Sequence, residues 1–109
     1  MSDEAIKSRA IKLSEFIDYS PGSIVSKAIV DKKAGTITLF AFDRGQGLSE
    51  HSAPFDAVVQ VIEGEAEVII GGEVHRVRAG EIIIMPADVP HAVKAPEQFK
   101  MLLVMIRSQ

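Results

Sequence analysis

The sequence has no cysteine, no tryptophan and a single tyrosine. Without cysteine there is no disulfide, no thiolate metal ligand and no thiol nucleophile. With so few large aromatics the chain lacks the stacking platforms that hold single-stranded nucleic acid. Positive charge is also short: 12 Lys and Arg stand against 15 Asp and Glu, a net charge of −3. The basic residues are scattered, and Lys32-Lys33 is the one adjacent pair. No nucleic-acid partner is expected from such a distribution. Long apolar runs are missing too. Ile82–Met85 and Met101–Ile106 fall far below the length of a membrane span, so no membrane partner is expected. The opening MSDEAIKSRAIKLSEF is charged throughout and has no apolar leader segment, so a cytoplasmic protein is expected.

What is present suits one compact domain over residues 1–109, with 47% hydrophobic and 25% charged residues. A domain of this size buries a core with limited surplus stability, and a homodimer is expected. Residues 1–9 are polar and expected to fray. Ala10–Leu13 suits a short strand, and Ser14-Glu15-Phe16-Ile17 suits a cap with about one helical turn. Ser20-Pro21-Gly22-Ser23 is a turn signal.

Beyond that turn the chain reads as short strands: Ile24–Val30, Thr36–Phe42, Val58–Glu63, Glu65–Ile70, Val74–Arg78, Glu81–Met85, Ala92–Ala95 and Phe99–Arg107. Glycine and proline punctuate them, and Gly71-Gly72 marks a two-residue hairpin. Close, even spacing of such strands predicts an all-β antiparallel sandwich or barrel. Met101–Ile106 does not alternate, so both of its faces should be covered. Either it is a central strand, or its second face meets another subunit.

Two segments carry a family resemblance. Gly45, His51, Ala53, Ala57 and Gly64 match the spacing of G-x5-H-x-H-x3,4-E-x6-G, the first motif of the cupin superfamily. Gly80, Pro86, Asp88, His91 and Ala95 match the spacing of the second, G-x5-P-x-G-x2-H-x3-N. The sequence resembles a small single-domain cupin over about residues 36–106. The resemblance implies a jelly-roll barrel of six to eight strands, usually dimeric, with a pocket at one mouth. It also implies a divalent metal (Zn, Mn, Fe or Ni), whose ligands would fall on His51, Ala53, Ala57 and His91. Two of those four positions are alanine. A stable site generally needs three protein ligands. Asp56 and Gln60 are the candidate substitutes, on the condition that a bulge at Pro54-Phe55 turns them inward.

Loss of two bulky polar groups should leave an apolar cavity. Its expected lining is Ala53, Ala57, Val59, Val61, Met85, Val93 and Phe40 or Phe42, with His51 and His91 as polar handles. Met85, Met101 and Met105 otherwise read as core fillers. His75 reads as a strand-surface residue, and Pro86 and Pro90 as stiffeners of the loop that presents His91. Three functions fit. One is the binding of a small, partly apolar ligand in the barrel. Another is a metal-dependent enzyme of isomerase or dioxygenase type using His51 and His91. The third is a metal-free enzyme with one of these histidines as general base.

Overall fold

The structure is a computed structural model and describes residues 6–107. The fraying expected of residues 1–9 therefore falls partly outside the described residues. Runs of β-branched and aromatic residues between turn-forming residues make nine strands among the described residues. These are β1 (Ile24–Lys32), β2 (Gly35–Phe42), β3 (Gly47–His51), β4 (Ala57–Glu63), β5 (Glu65–Ile70), β6 (Glu73–Arg78), β7 (Ile82–Met85), β8 (His91–Lys94) and β9 (Phe99–Ile106). They form two antiparallel sheets, ordered β1-β2-β9-β4-β7 and β3-β8-β5-β6. This is the expected jelly roll, with nine strands where six to eight were implied. The strand missed in the sequence is β3. Leu48 is its one large apolar residue, and its other four residues are exposed.

Two turns depend on glycine. Gly71 and Gly72 have φ of 57° and 83° and join Ile70 to its partner Glu73. A two-residue turn with both φ values positive continues the right-handed twist of the strands it connects. At Gly64, between β4 and β5, φ is 79° and an added Cβ would stand 2.5 Å from the Gln98 carbonyl oxygen. Only glycine fits there.

The inner faces of the sheets meet in a core built on Phe42, Val59, Val61, Val68, Phe99 and Met101. Phe42 and Phe99 are direct cross-strand partners, and their rings stack at 4.5 Å. A second, smaller cluster lies on the other face of the five-stranded sheet. There Ile17 packs with Leu39 and Ala41, flanked by Leu13, Phe16 and Tyr19.

This second cluster corrects the reading of the N-terminal segment. No strand forms at Ala10–Leu13. A 3-10 turn at Leu13–Glu15 begins a strap instead, with Lys12 at its N-cap position and no side-chain cap. The Ser14 side chain does not cap the turn, but its carbonyl accepts a 2.6 Å hydrogen bond from Lys100 Nζ. Lys27 Nζ donates to the Phe16 carbonyl at 2.7 Å. Each lysine also stands over a ring of the strap, Lys27 4.7 Å from the centre of Phe16 and Lys100 4.8 Å from that of Tyr19. The Tyr19 hydroxyl donates to Glu63 at 2.5 Å. Burial, then the bond to Glu63 and its negative charge, push the Tyr19 pKa well above the ordinary phenol value. The hydroxyl therefore keeps its proton and stays a donor.

β9 lies between β2 and β4, so Met101–Ile106 is a central strand. Its outward Leu102 packs against the strap cluster. Outward Val104 is not among the described residues packed in the strap cluster. Cross-strand register places Ile84, Val58, Val104, Ile37 and Val30 side by side across all five strands.

Candidate functional site

β3 and β8 bring the two motif histidines together. The strands run antiparallel, and His51 stands opposite His91 after a register shift beyond Leu48. Their ring centres are 4.5 Å apart, with the planes at 72°. Each Nδ1 meets a backbone carbonyl two residues upstream. His51 uses Ser49 at 2.9 Å and His91 uses Val89 at 3.2 Å. A carbonyl only accepts, so Nδ1 holds the proton in both rings. In neutral imidazole this leaves a lone pair on each Nε2.

The two rings differ in depth. His91 is buried at 3% exposure, whereas His51 is exposed at the mouth. Burial holds the His91 pKa below the ordinary imidazole value, and the neighbouring His51 lowers it further. The bond to the Val89 carbonyl offsets part of this. Such a group stabilises the fold fully above its unfolded value, near pH 6.5. That contribution is lost as pH falls through the lower folded value. Chelator-treated protein should therefore lose stability as pH drops below about 6.5. Denaturation midpoints across this range should fall less steeply in His91→Gln. Equal slopes in the two proteins would show that His91 is not the source.

The loop between β7 and β8 is tied to the segment before β4. Asp88 takes a left-handed backbone, φ 64°, where the motif has glycine. Aspartate tolerates this conformation better than most residues. Its N–H donates to the Ala53 carbonyl at 2.7 Å. The Ala87 N–H donates to Asp56 Oδ1 at 2.8 Å. Asp56 thus clamps this loop on the outside of the barrel, where it lines a groove with Phe55, Val58 and Ile84. The inward turn suggested for Asp56 does not occur. Inward parity in β4 belongs to Ala57, Val59 and Val61, all buried, and Gln60 points out to solvent. Neither Asp56 nor Gln60 can complete a metal site with the histidines.

Behind the histidines lies a small, partly open cavity of about 40 Å³. Of the expected lining, His51, Ala53, Ala57, Met85, His91 and Val93 are brought together around it. Val59 and Val61 are buried in the core instead of on the cavity wall, and so is Phe42. Phe40 packs against that core from a partly buried position. Leu48, Met101, Leu103 and Met105 complete the wall. Three of these come from β9, whose inward parity the unalternating sequence conceals. Met85 and Met105 are the cross-strand partners of Ala57 on its two sides. A larger hollow of about 600 Å³, along Gly45–Ser49 and Val93–Pro96, is an open surface groove in which Glu67 and Lys94 are the charged residues. It brings no cluster of reactive side chains together.

His75 lies on β6, partly exposed, with Nε2 3.4 Å from the Glu73 carboxylate. It is remote from the cavity lining. Among the described residues no three His, Asp or Glu side chains converge to hold a metal. The cavity wall has two imidazoles and no carboxylate. These residues do not fit the divalent ion that the resemblance implied, because it would lack a third nitrogen or oxygen ligand.

A nine-stranded antiparallel jelly roll with a histidine pair at one end defines a cupin-type barrel. A family model described as the cupin domain matches residues 38–107, and the chain belongs to that family. It is similar to a protein of unknown function from Streptococcus pyogenes. The two are 36% identical, with 94% of this chain and 90% of that one covered and a TM-score of 0.89. It is also similar to a cupin 2 conserved barrel domain protein from Leptotrichia buccalis, at 40% identity and a TM-score of 0.86. That match covers 89% of this chain and 47% of the other, so this chain spans about half of that protein. A cupin superfamily protein from Desulfitobacterium hafniense shares the fold at 24% identity, with 94% of each chain covered and a TM-score of 0.88. No curated protein matches the sequence. Among the described residues no helix is long and apolar enough to cross a membrane.

Proposed function

We propose that the barrel interior binds a small, partly apolar ligand, with His51 and His91 as its hydrogen-bonding handles. The observation that carries this reading is the small cavity, lined by apolar residues except for the histidine pair. Its volume of about 40 Å³ is well below the roughly 300–1,000 Å³ of ordinary ligand pockets. An organic ligand therefore requires Met85, Met101 and Met105 to swing aside. Unbranched thioether side chains repack readily. Each Nε2 then accepts a hydrogen bond from a hydroxyl or amide of the ligand.

A thermal-shift screen with small neutral alcohols and amides tests the reading. A ligand at about 100 times its Kd should stabilise the protein by about 2.7 kcal/mol. The shift should vanish in His51→Ala and His91→Gln. No stabilising compound, or a shift indifferent to both substitutions, would overturn it. The metal-enzyme alternative has no comparable support, since its third ligand is missing.

We also propose a homodimer through the outward apolar row Ile84–Val58–Val104–Ile37–Val30. An uncharged strip can serve as the same patch on both copies, as a two-fold contact requires. Sedimentation velocity at micromolar concentration should show twice the chain mass, and a monomer would overturn the proposal.

A further inference from the structure

We infer that Asp56 is a positioning residue for His91: from outside the barrel, its carboxylate fixes the loop whose Val89 carbonyl holds the buried imidazole with Nε2 free to accept. This rests on the reading of His91 as a binding handle. It names a residue on which that handle depends and which does not itself line the cavity.

The chain of contacts starts at the ring. His91 Nδ1 donates to the Val89 carbonyl at 3.2 Å. In a neutral imidazole, the bond made by one nitrogen sets which nitrogen carries the proton. The position of the Val89 carbonyl therefore decides whether His91 Nε2 holds a lone pair or a proton. A ligand hydroxyl or amide N–H can donate only to the lone pair.

Val89 has a weak hold of its own. Its N–H meets the Pro86 carbonyl at 3.4 Å, beyond the ordinary range for such a bond. The loop is tied more firmly on either side of Val89. On one side the Pro90 carbonyl accepts from the Gly71 N–H at 2.8 Å. On the other, two successive N–H groups turn to the segment before β4. Asp88 donates to the Ala53 carbonyl at 2.7 Å and Ala87 to Asp56 Oδ1 at 2.8 Å. Of these three ties, the one to Asp56 alone uses a side chain.

That tie sits beside a strained residue. Asp88 holds φ at 64°. A residue other than glycine stays in this region only while its surroundings require it. A backbone N–H bonded to a carboxylate is held roughly twice as strongly as by a neutral acceptor. With Asp56 removed, Ala87 and Asp88 are free to relax together, and the Val89 carbonyl moves with them.

The segment that anchors the loop is also part of the cavity wall. Ala53 and Ala57 line the cavity, whereas Asp56 between them is exposed. The tie thus holds the loop that presents His91 against the wall that faces it.

The test is long-range nitrogen–proton correlation NMR of the histidine rings in the full chain, at a pH where the rings are neutral. The nitrogen shifts separate protonated from unprotonated positions. Wild-type His91 should show a single form, with Nδ1 protonated and Nε2 not. In Asp56→Ala the His91 Nε2 shift should move toward the protonated value as the second tautomer takes a share of the population. Asp56→Asn keeps an acceptor oxygen and should restore the wild-type pattern. His75, on β6, serves as the reference and should not move. A tie with a structural role alone would lower the melting temperature and leave the tautomer unchanged. The inference is overturned by a wild-type His91 lacking the Nδ1–H form, by an unchanged tautomer in Asp56→Ala, or by failure of Asp56→Asn to restore it. A tautomer that depends on Asp56, in a protein that binds none of the alcohols or amides, supports the positioning role and overturns the binding function alone. A bound alcohol with an unchanged tautomer in Asp56→Ala does the reverse.

Discussion

Phe99→Ala is expected to cost about 4 kcal/mol of unfolding free energy, as for other large-to-small changes at a filled aromatic site. Phe99 is fully buried and stacks on Phe42 with ring planes 8° apart. The two residues are direct partners across β2 and β9, so the stack joins two strands of the five-stranded sheet. The backbone of Phe99 also approaches Gly64 closely. That contact limits how far β9 can move inward to fill the hole, and a hole that cannot close is the costly kind. Urea or guanidinium unfolding should show a lower midpoint with an unchanged slope. A small domain has about 5–15 kcal/mol in total, so a large share of its stability should go. A loss below about 1 kcal/mol would mean that the site collapses freely, contrary to the packing described.

Lys100→Met should cost about 2 kcal/mol, the scale of hydrogen bonds to charged groups. Its second effect should be release of the strap. The Lys100 side chain is 7% exposed and stands 3.7 Å from the Glu63 carboxylate. Its Nζ holds the Ser14 carbonyl and caps the Tyr19 ring. Methionine keeps the apolar stem and deletes the charge. The Ser14 carbonyl and Glu63 then lose their cationic partner. Glu63 is half-exposed and water takes up part of the loss, so the full penalty of a stranded buried charge does not apply. Limited proteolysis should cut residues 13–19 faster in the variant than in wild type. Equal cutting rates would show that Lys27 and the apolar contacts of Ile17 hold the strap without help.

The strands were legible because their separators are chemically distinct. Gly71-Gly72, Gly64 and Pro86–Pro90 all fall between strands, and eight of the nine strands lie where apolar runs stand between such breaks. β3 was not legible because a polar edge strand carries almost no hydrophobic pattern. The strap was misread for a different reason. Its position depends on Lys27 and Lys100, and Lys100 lies 86 residues from the Ser14 carbonyl it holds. His51 and His91 could be placed together from motif spacing alone. Asp56 could be placed just before β4, but its bond to Ala87 could not, because that contact depends on how two loops meet. Met105 was read as a core filler and stands on the cavity wall. Which way it faces is set by its partners, Thr36 on one side and Ala57 on the other, and not by any alternation within Met101–Ile106.

β9 is a partition one residue thick. Leu103 and Met105 face the cavity, while Val104 between them faces outward in the apolar row. When Met105 shifts to admit an occupant, the backbone it shares with Val104 is the same one that shapes the exterior. The barrel wall here works as a diaphragm, in which inside and outside are the two sides of a single strand.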